Sequence, residues 1–73
     1  MIEFEMNARL GYVAERLEEL ISPRLYYIHN RVGGKGWEVR NANSLHTKNF
    51  LSRVVIKVEN DAMASYIALM LTK

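Results

Sequence analysis

The stretch Ser-Arg-Val-Val-Ile-Lys-Val-Glu-Asn-Asp, residues 52–61, contains the clearest secondary-structure signal in the chain. Apolar residues alternate there with mostly charged ones, which predicts a strand over residues 52–59 with one buried face. The pair Asn60-Asp61 is typical of a helix cap. An almost uniformly apolar segment follows it, so we expect a closing helix over residues 62–72.

A glycine-rich segment precedes this strand and predicts a hairpin. Residues 25–32 include two tyrosines, an isoleucine and a valine, which favour β structure. Residues 33–36, Gly-Gly-Lys-Gly, are expected to reverse the chain because glycine adopts the positive φ angles of tight turns. Residues 37–40 would then form the returning strand, and the polar residues 41–49 a loop.

The N-terminal part of the chain predicts a helix. Apolar residues recur at spacings of three and four over residues 10–21, which is the pattern of an amphipathic helix. Asn7 is a candidate N-cap, and Ser22-Pro23 would end the helix because proline disfavours helical geometry in the residue before it. Residues 1–5 alternate apolar and acidic side chains, and they would form either a short extra strand or a frayed lead-in.

These elements predict a single small α+β domain over residues 1–73, with the order α-β-β-β-α. A three-stranded, mostly antiparallel sheet with both helices on one face would bury the apolar stripes economically. Leu17 of the first helix should join the core. The sheet face under the helices would carry Tyr26, Ile28, Trp37, Val39, Val54, Ile56 and Val58.

Composition argues against several classes of protein. The chain has no cysteine, which excludes disulfides and thiolate zinc sites. Its two histidines, His29 and His46, do not form a metal-ligand motif, and no serine lies in a nucleophile-elbow pattern. We therefore expect no metal, no cofactor, no catalytic residue and no small-molecule substrate. The chain is expected to bind a partner rather than to catalyse a reaction.

The location of the protein is also predicted from composition. No apolar run approaches the roughly 18 residues that a membrane span requires. The first residues are acidic, unlike those of a signal peptide. We expect a cytoplasmic protein that does not bind membranes.

Charge is unevenly distributed along the chain. Residues 1–20 carry two arginines and five glutamates, whereas residues 21–60 carry seven basic and two acidic residues. A basic sheet face with an aromatic side chain is suited to single-stranded nucleic acid, although a solvated face is the alternative. The residues predicted for a nucleic acid or an acidic partner are Tyr27, His29, Arg31, Lys35, Arg40, Arg53 and Lys57.

The predicted C-terminal helix is a second candidate surface. It is apolar nearly all round, with interruptions at Ser65 and Thr72. A helix without a polar side must be covered on both sides, either between the sheet and the first helix or by another chain. In the second case, the residues that would contact another protein or a second copy of this chain are Met63, Tyr66, Ile67 and Met70.

Residues 58–64, Val-Glu-Asn-Asp-Ala-Met-Ala, lead from a strand through a cap into a closing helix. This segment resembles the ends of small regulatory proteins encoded by tailed bacteriophages. The resemblance implies a short protein that docks on a host enzyme and blocks or redirects it, and it assigns no role to any residue. Our leading expectation is a non-enzymatic protein–protein regulator. The alternative is single-stranded nucleic-acid binding through the basic sheet face.

Overall fold

The computed structural model describes residues 1–28, 31–42 and 52–72. Within these ranges the chain has an α+β fold, with two helices and one five-stranded antiparallel sheet in the order β1-β5-β4-β3-β2. Neither helix is long and apolar enough to cross a membrane. The elements are β1 (Ile2–Ala8), α1 (Leu10–Leu20), β2 (Arg24–Ile28), β3 (Arg31–Gly34), β4 (Trp37–Asn41), β5 (Ser52–Val58) and α2 (Asp61–Leu71).

The first departure from the predicted three-stranded sheet is β1. It pairs with β5 along its whole length, from Ile2 opposite Val58 to Ala8 opposite Ser52. The N-terminal alternation is therefore a strand, and β1 and β2 form the two edges of the sheet. Because α1 connects β1 to β2, it must carry the chain from one edge to the other.

The predicted cap of α1 at Asn7 is wrong because β1 extends past that residue. Asn7 pairs with Arg53 in the sheet. The residue before the helix is Arg9, which has extended backbone and whose side chain makes no capping hydrogen bond. The first turn of α1 is held by the backbone bond from the Val13 amide to the Arg9 carbonyl, at 3.1 Å.

The second departure is that the predicted strand over residues 25–32 consists of two antiparallel strands, β2 and β3. In a single strand, Val32 would share its face with Tyr26 and Ile28, because side chains alternate. In the hairpin, Val32 lies opposite Tyr27 instead. Tyr27 therefore lies on the face that the helices cover, and Tyr26 and Ile28 lie on the opposite face. The predicted faces of β2 are thus reversed.

The glycines also have different roles from those predicted. Gly33 and Gly34 belong to β3, and the turn to β4 consists of Lys35 and Gly36. Gly36 has a φ of 88°, which explains a glycine at that position. Gly33 is required for space, because a Cβ there would overlap the ring of Tyr26 on the neighbouring strand.

The core lies between the sheet and the two helices. Trp37 has 1% of its surface exposed, and its Nε1 donates to the carbonyl oxygen of Ser22 at 3.0 Å, just after α1 ends. Ile28 was expected in this core, but 57% of its surface is exposed. Tyr26, which was also expected under the helices, lies on the opposite face, and the remaining expected core residues are confirmed. The buried apolar side chains are Ala8, Leu10, Val13, Ala14, Leu17, Val32, Trp37, Val39, Val54, Ile56, Val58, Ile67 and Leu71.

The predicted cap of α2 is confirmed. Asn60 has extended backbone, and its Oδ1 accepts a hydrogen bond from the Met63 amide at 2.9 Å. This bond satisfies one of the amides that the first turn leaves without a partner. The acidic side chain of Asp61 also lies in the first turn, where it interacts favourably with the helix dipole.

Replacement of Trp37 by alanine tests the core. We expect Trp37→Ala to lower the free energy of unfolding by about 3–5 kcal/mol, because it leaves a large cavity and removes the bond to Ser22. Ile28→Ala is the control and should cost about 1 kcal/mol or less, because Ile28 is exposed. Urea denaturation followed by circular dichroism measures both, because Trp37 is the single tryptophan and its fluorescence is lost in Trp37→Ala. Equal losses for the two variants would contradict this core.

Replacement of the two asparagines tests the helix caps. Asn60→Ala should destabilise the protein by about 1 kcal/mol, the typical value for loss of a side-chain cap. Asn7→Ala should have a smaller effect, because Asn7 is exposed in β1 and caps no helix. The comparison again uses the midpoint of urea unfolding. A larger loss from Asn7→Ala would place the start of α1 earlier than the structure does.

Candidate functional site

Two surfaces are candidates for partner binding, and the first is the sheet face that the helices leave uncovered, here called the open face. The strand register aligns its side chains in cross-strand rows. One row runs from Glu3 on β1 to Tyr26 on β2, and the next runs from Glu5 to Ile28. The open face carries Glu3, Glu5, Asn7, Tyr26, Ile28, Arg31, Glu38, Arg40, Arg53, Val55 and Lys57.

Three of the four basic residues of the open face, Arg31, Arg53 and Lys57, lie beside carboxylates. Four cationic side chains share the face with three glutamates, and two of these glutamates come from β1, which the sequence left uncertain as a strand. Such exposed pairs contribute little to stability. They do, however, offset the positive charge that would attract phosphates. The ion pairs are Glu3–Lys57 at 3.5 Å, Glu5–Arg53 at 3.6 Å, Glu38–Arg31 at 3.8 Å and Glu38–Lys57 at 3.9 Å.

Glu38 is the centre of this network and binds Tyr26 directly. The Tyr26 hydroxyl donates to Glu38 Oε2 at 2.6 Å, and its ring lies over Gly33. Burial of the phenol, followed by this hydrogen bond and the negative charge of Glu38, raises the pKa of Tyr26 to about 12, and Arg31 opposes the shift. Sequence reasoning missed Tyr26 as an open-face residue. The antiparallel pairing of β2 with β3 aligns it with Gly33.

The structure brings together four of the seven residues predicted for the basic face. They are Arg31, Arg40, Arg53 and Lys57. Tyr27 lies on the other side of the sheet, opposite Val32. Lys35 lies in the turn between β3 and β4, and its carbonyl oxygen accepts a bond from the Ser22 hydroxyl at 2.8 Å. His29 lies outside the described residues, as does His46.

The second candidate surface is the outer face of α2, which comprises Ala62, Met63, Ser65, Tyr66, Leu69 and Met70. α2 packs on β1 and β5 and touches α1, so its other side is open to solvent. Tyr66 is 46% exposed and Leu69 is 59% exposed, whereas Met63 and Met70 are partly buried. This arrangement rules out the alternative that α2 is enclosed between the sheet and α1.

The assignment of Ile67 to the partner surface is wrong, because Ile67 is fully buried in the protein's own core. Together with Leu71 it forms the inner stripe of α2. Leu69 belongs to the outer face and was missed by sequence reasoning. Its spacing of three residues from Tyr66 was a usable signal, because such residues lie on one side of a helix.

A shallow cleft lies where β1 leads into α1, next to the end of α2. Its volume is about 200 Å³, below the usual range for drug-sized ligands. Its lining includes one charged side chain, Arg9. Among the described residues no group of three His, Cys, Asp or Glu side chains is placed to hold a metal ion. The cleft is lined by Met6, Asn7, Ala8, Arg9, Tyr12 and Leu71.

The raised pKa of Tyr26 predicts a pH dependence. The folded protein favours the neutral phenol, so this stabilisation is complete below the ordinary pKa of 10 and is lost as the pH rises towards about 12. The stability advantage of the parent over Tyr26→Phe should therefore shrink between these values. The phenolate absorbance step near pH 12 should be absent from Tyr26→Phe. Identical titration curves for the two proteins would contradict the bond to Glu38.

Comparison with known proteins returns no match for this chain. No family model matches the sequence, and no curated protein or solved structure is significantly similar to it. The resemblance of residues 58–64 to small phage proteins is therefore untested and stays a prediction.

Proposed function

We propose that this protein is a non-enzymatic binding module that docks on another protein through the outer face of α2. The observation that carries the proposal is the exposure of Tyr66 and Leu69 on a helix whose one charged residue, Asp61, lies in its first turn. No residue from Ala62 to Thr72 is charged. Exposed apolar patches of this kind mark interaction sites, and aromatic residues are enriched where partners bind tightly.

The other helix of the same fold provides an internal comparison. α1 and α2 each span eleven residues and pack on the same side of one sheet. The outward side of α1 carries charged residues such as Glu15 and Glu19, as expected for a helix in contact with water. α2 has the same structural role on its inner side, where Ile67 and Leu71 are buried. The apolar outer face of α2 is therefore not required by the fold.

The chemistry of this face favours a protein partner with an apolar groove or helix. Met63 and Met70 flank Tyr66 on the face, and methionine side chains adapt to irregular contact surfaces. This face carries no cationic side chain that could bind a phosphate. The resemblance of residues 58–64 to small phage regulators suggests that a host enzyme is the first class of partner to test.

Single-stranded nucleic-acid binding is the less well supported function. The open face has three carboxylates among four cationic side chains, so little unbalanced charge remains for phosphates. Tyr26, the aromatic residue that the structure places on this face, already donates to Glu38 and covers Gly33. Tyr27, the residue on which a base was expected to stack, lies on the helix-covered side.

Two substitutions on α2 test the proposal. Leu69→Lys and Tyr66→Lys should each weaken partner binding by about tenfold or more, because they put a charge into a desolvated contact. Their circular dichroism should match that of the parent, since both side chains are exposed. Partners are captured from a bacterial lysate with and without nuclease, identified by mass spectrometry, and titrated with the purified variants.

Matched controls lie on the two other surfaces. Glu19→Lys on α1 and Arg53→Glu on the open face should both retain the partner, because neither residue belongs to the outer face of α2. Binding that is lost on nuclease treatment and on Arg53→Glu, but retained by Leu69→Lys, would reject the α2 site. That outcome would establish the nucleic-acid function in its place.

A further inference from the structure

The edge strand β2 exposes an apolar segment that neither candidate function uses. In the described sheet β2 has a neighbouring strand, β3, on one side only. The outward-pointing backbone groups of such an edge can accept another strand. Three of its side chains are also unusually exposed for their type: Leu25 at 72%, Ile28 at 57% and Tyr27 at 39%.

The two edges of the sheet differ in charge. β1 carries Glu3 and Glu5, and charged side chains on an edge oppose pairing with another chain. β2 contains no acidic residue. Its single charged residue, Arg24, is neutralised by Glu18 of α1, with 2.7 Å between Arg24 Nε and Glu18 Oε1. The β2 edge is thus apolar and electrically neutral.

We infer that β2 pairs antiparallel with β2 of a second copy of this chain, which joins the two sheets into one. A two-fold axis at Tyr27 would place the two Tyr27 side chains opposite each other on the helix-covered face. It would place Tyr26 of each copy opposite Ile28 of the other on the open face. The two Tyr27 side chains and the exposed Ile28 would supply the new apolar contact between the strands.

The side-chain charges of the two edge strands favour pairing with a second copy at β2 over pairing at β1. The paired β2 segments contain no charge, so the two copies meet without repulsion. A similar two-fold pairing of β1 about Phe4 would bring Glu3 of each copy opposite Glu5 of the other. Like charges directly opposite are destabilising, although Lys57 beside Glu3 and Arg53 beside Glu5 reduce this repulsion. The register of β2 is irregular between Arg24 and Tyr26, which confines the pairing to residues 26–28.

The small size of the chain gives a physical reason for this dimer. A 73-residue chain without cysteine has a small core and no disulfide, and association with a second copy is a common way to stabilise such a domain. The pairing leaves the outer face of α2 free, because α2 lies over β1 and β5 and β2 is at the opposite edge. The dimer would present two such faces.

The absence of cysteine allows a direct test. A single cysteine in place of Tyr27 would face its counterpart across the two-fold axis, at a distance that a disulfide can bridge. Under mild oxidation we expect Tyr27→Cys to form a covalent dimer on a non-reducing gel. Leu69→Cys on α2 and Glu5→Cys on β1 are exposed controls, and they should form much less.

Sedimentation equilibrium provides an independent measurement. The parent should show a mass that rises from monomer to dimer with concentration. Ile28→Glu should stay monomeric with unchanged circular dichroism, because Ile28 is exposed, and Leu69→Lys should dimerise like the parent. A parent that is monomeric at every concentration would overturn the inference. Faster cross-linking through position 69 than through position 27 would also overturn it, and would place the second copy on α2.

Discussion

The antiparallel pairing of β1 with β5 is the interaction on which the rest of the structure depends. It covers seven residue pairs and places β5 between two strands, with Val55 buried even on the open face. Because β1 occupies one edge, the chain must cross the sheet through α1 before β2 can form the other. The same pairing supplies part of the surface on which α2 packs. Without β1, α2 would lose one of the two strands on which it packs.

The pairing of β1 also determines the electrostatics of the open face. Glu3 and Glu5 are the residues that bring carboxylates to Lys57 and Arg53. The two segments of opposite charge along the sequence therefore meet in space and largely offset each other. The linear distribution of basic residues suggests a phosphate-binding surface. In the folded protein, most of these residues form ion pairs with glutamates instead. This is the physical reason for preferring α2 over the open face as the functional surface.

The two proposed contacts, the outer face of α2 and the β2 edge, lie on different parts of the fold. The outer face of α2 lies on the helical layer above β1 and β5, and the β2 edge lies at the far side of the sheet. The two contacts also differ in chemistry. One depends on side chains of a helix, of which Tyr66 and Leu69 are exposed, and the other depends on backbone groups of a strand. A partner protein and a second copy could therefore be bound at the same time, which would allow two-site binding to a symmetric target.

The sequence by itself determined the elements whose patterns are local. The alternation in β5, the cap at Asn60, the helical spacing of Leu10 to Leu20 and the burial of Trp37 could all be predicted, because each depends on neighbours within a few residues. The α+β class followed from these elements. The apolar character of α2 was also visible, although its division into an inner stripe with Ile67 and an outer face with Leu69 was not.

The tertiary structure alone decided which residues share a face of the sheet. Whether residues 1–5 form a strand depends on β5, about fifty residues away in the sequence, and no local pattern contains that pairing. The chain reversal after Ile28 exchanged the faces of Tyr26 and Tyr27, because a strand has a side-chain period of two and a hairpin reverses the parity. Local patterns thus specified the elements, and long-range pairing specified which side chains lie together on each surface.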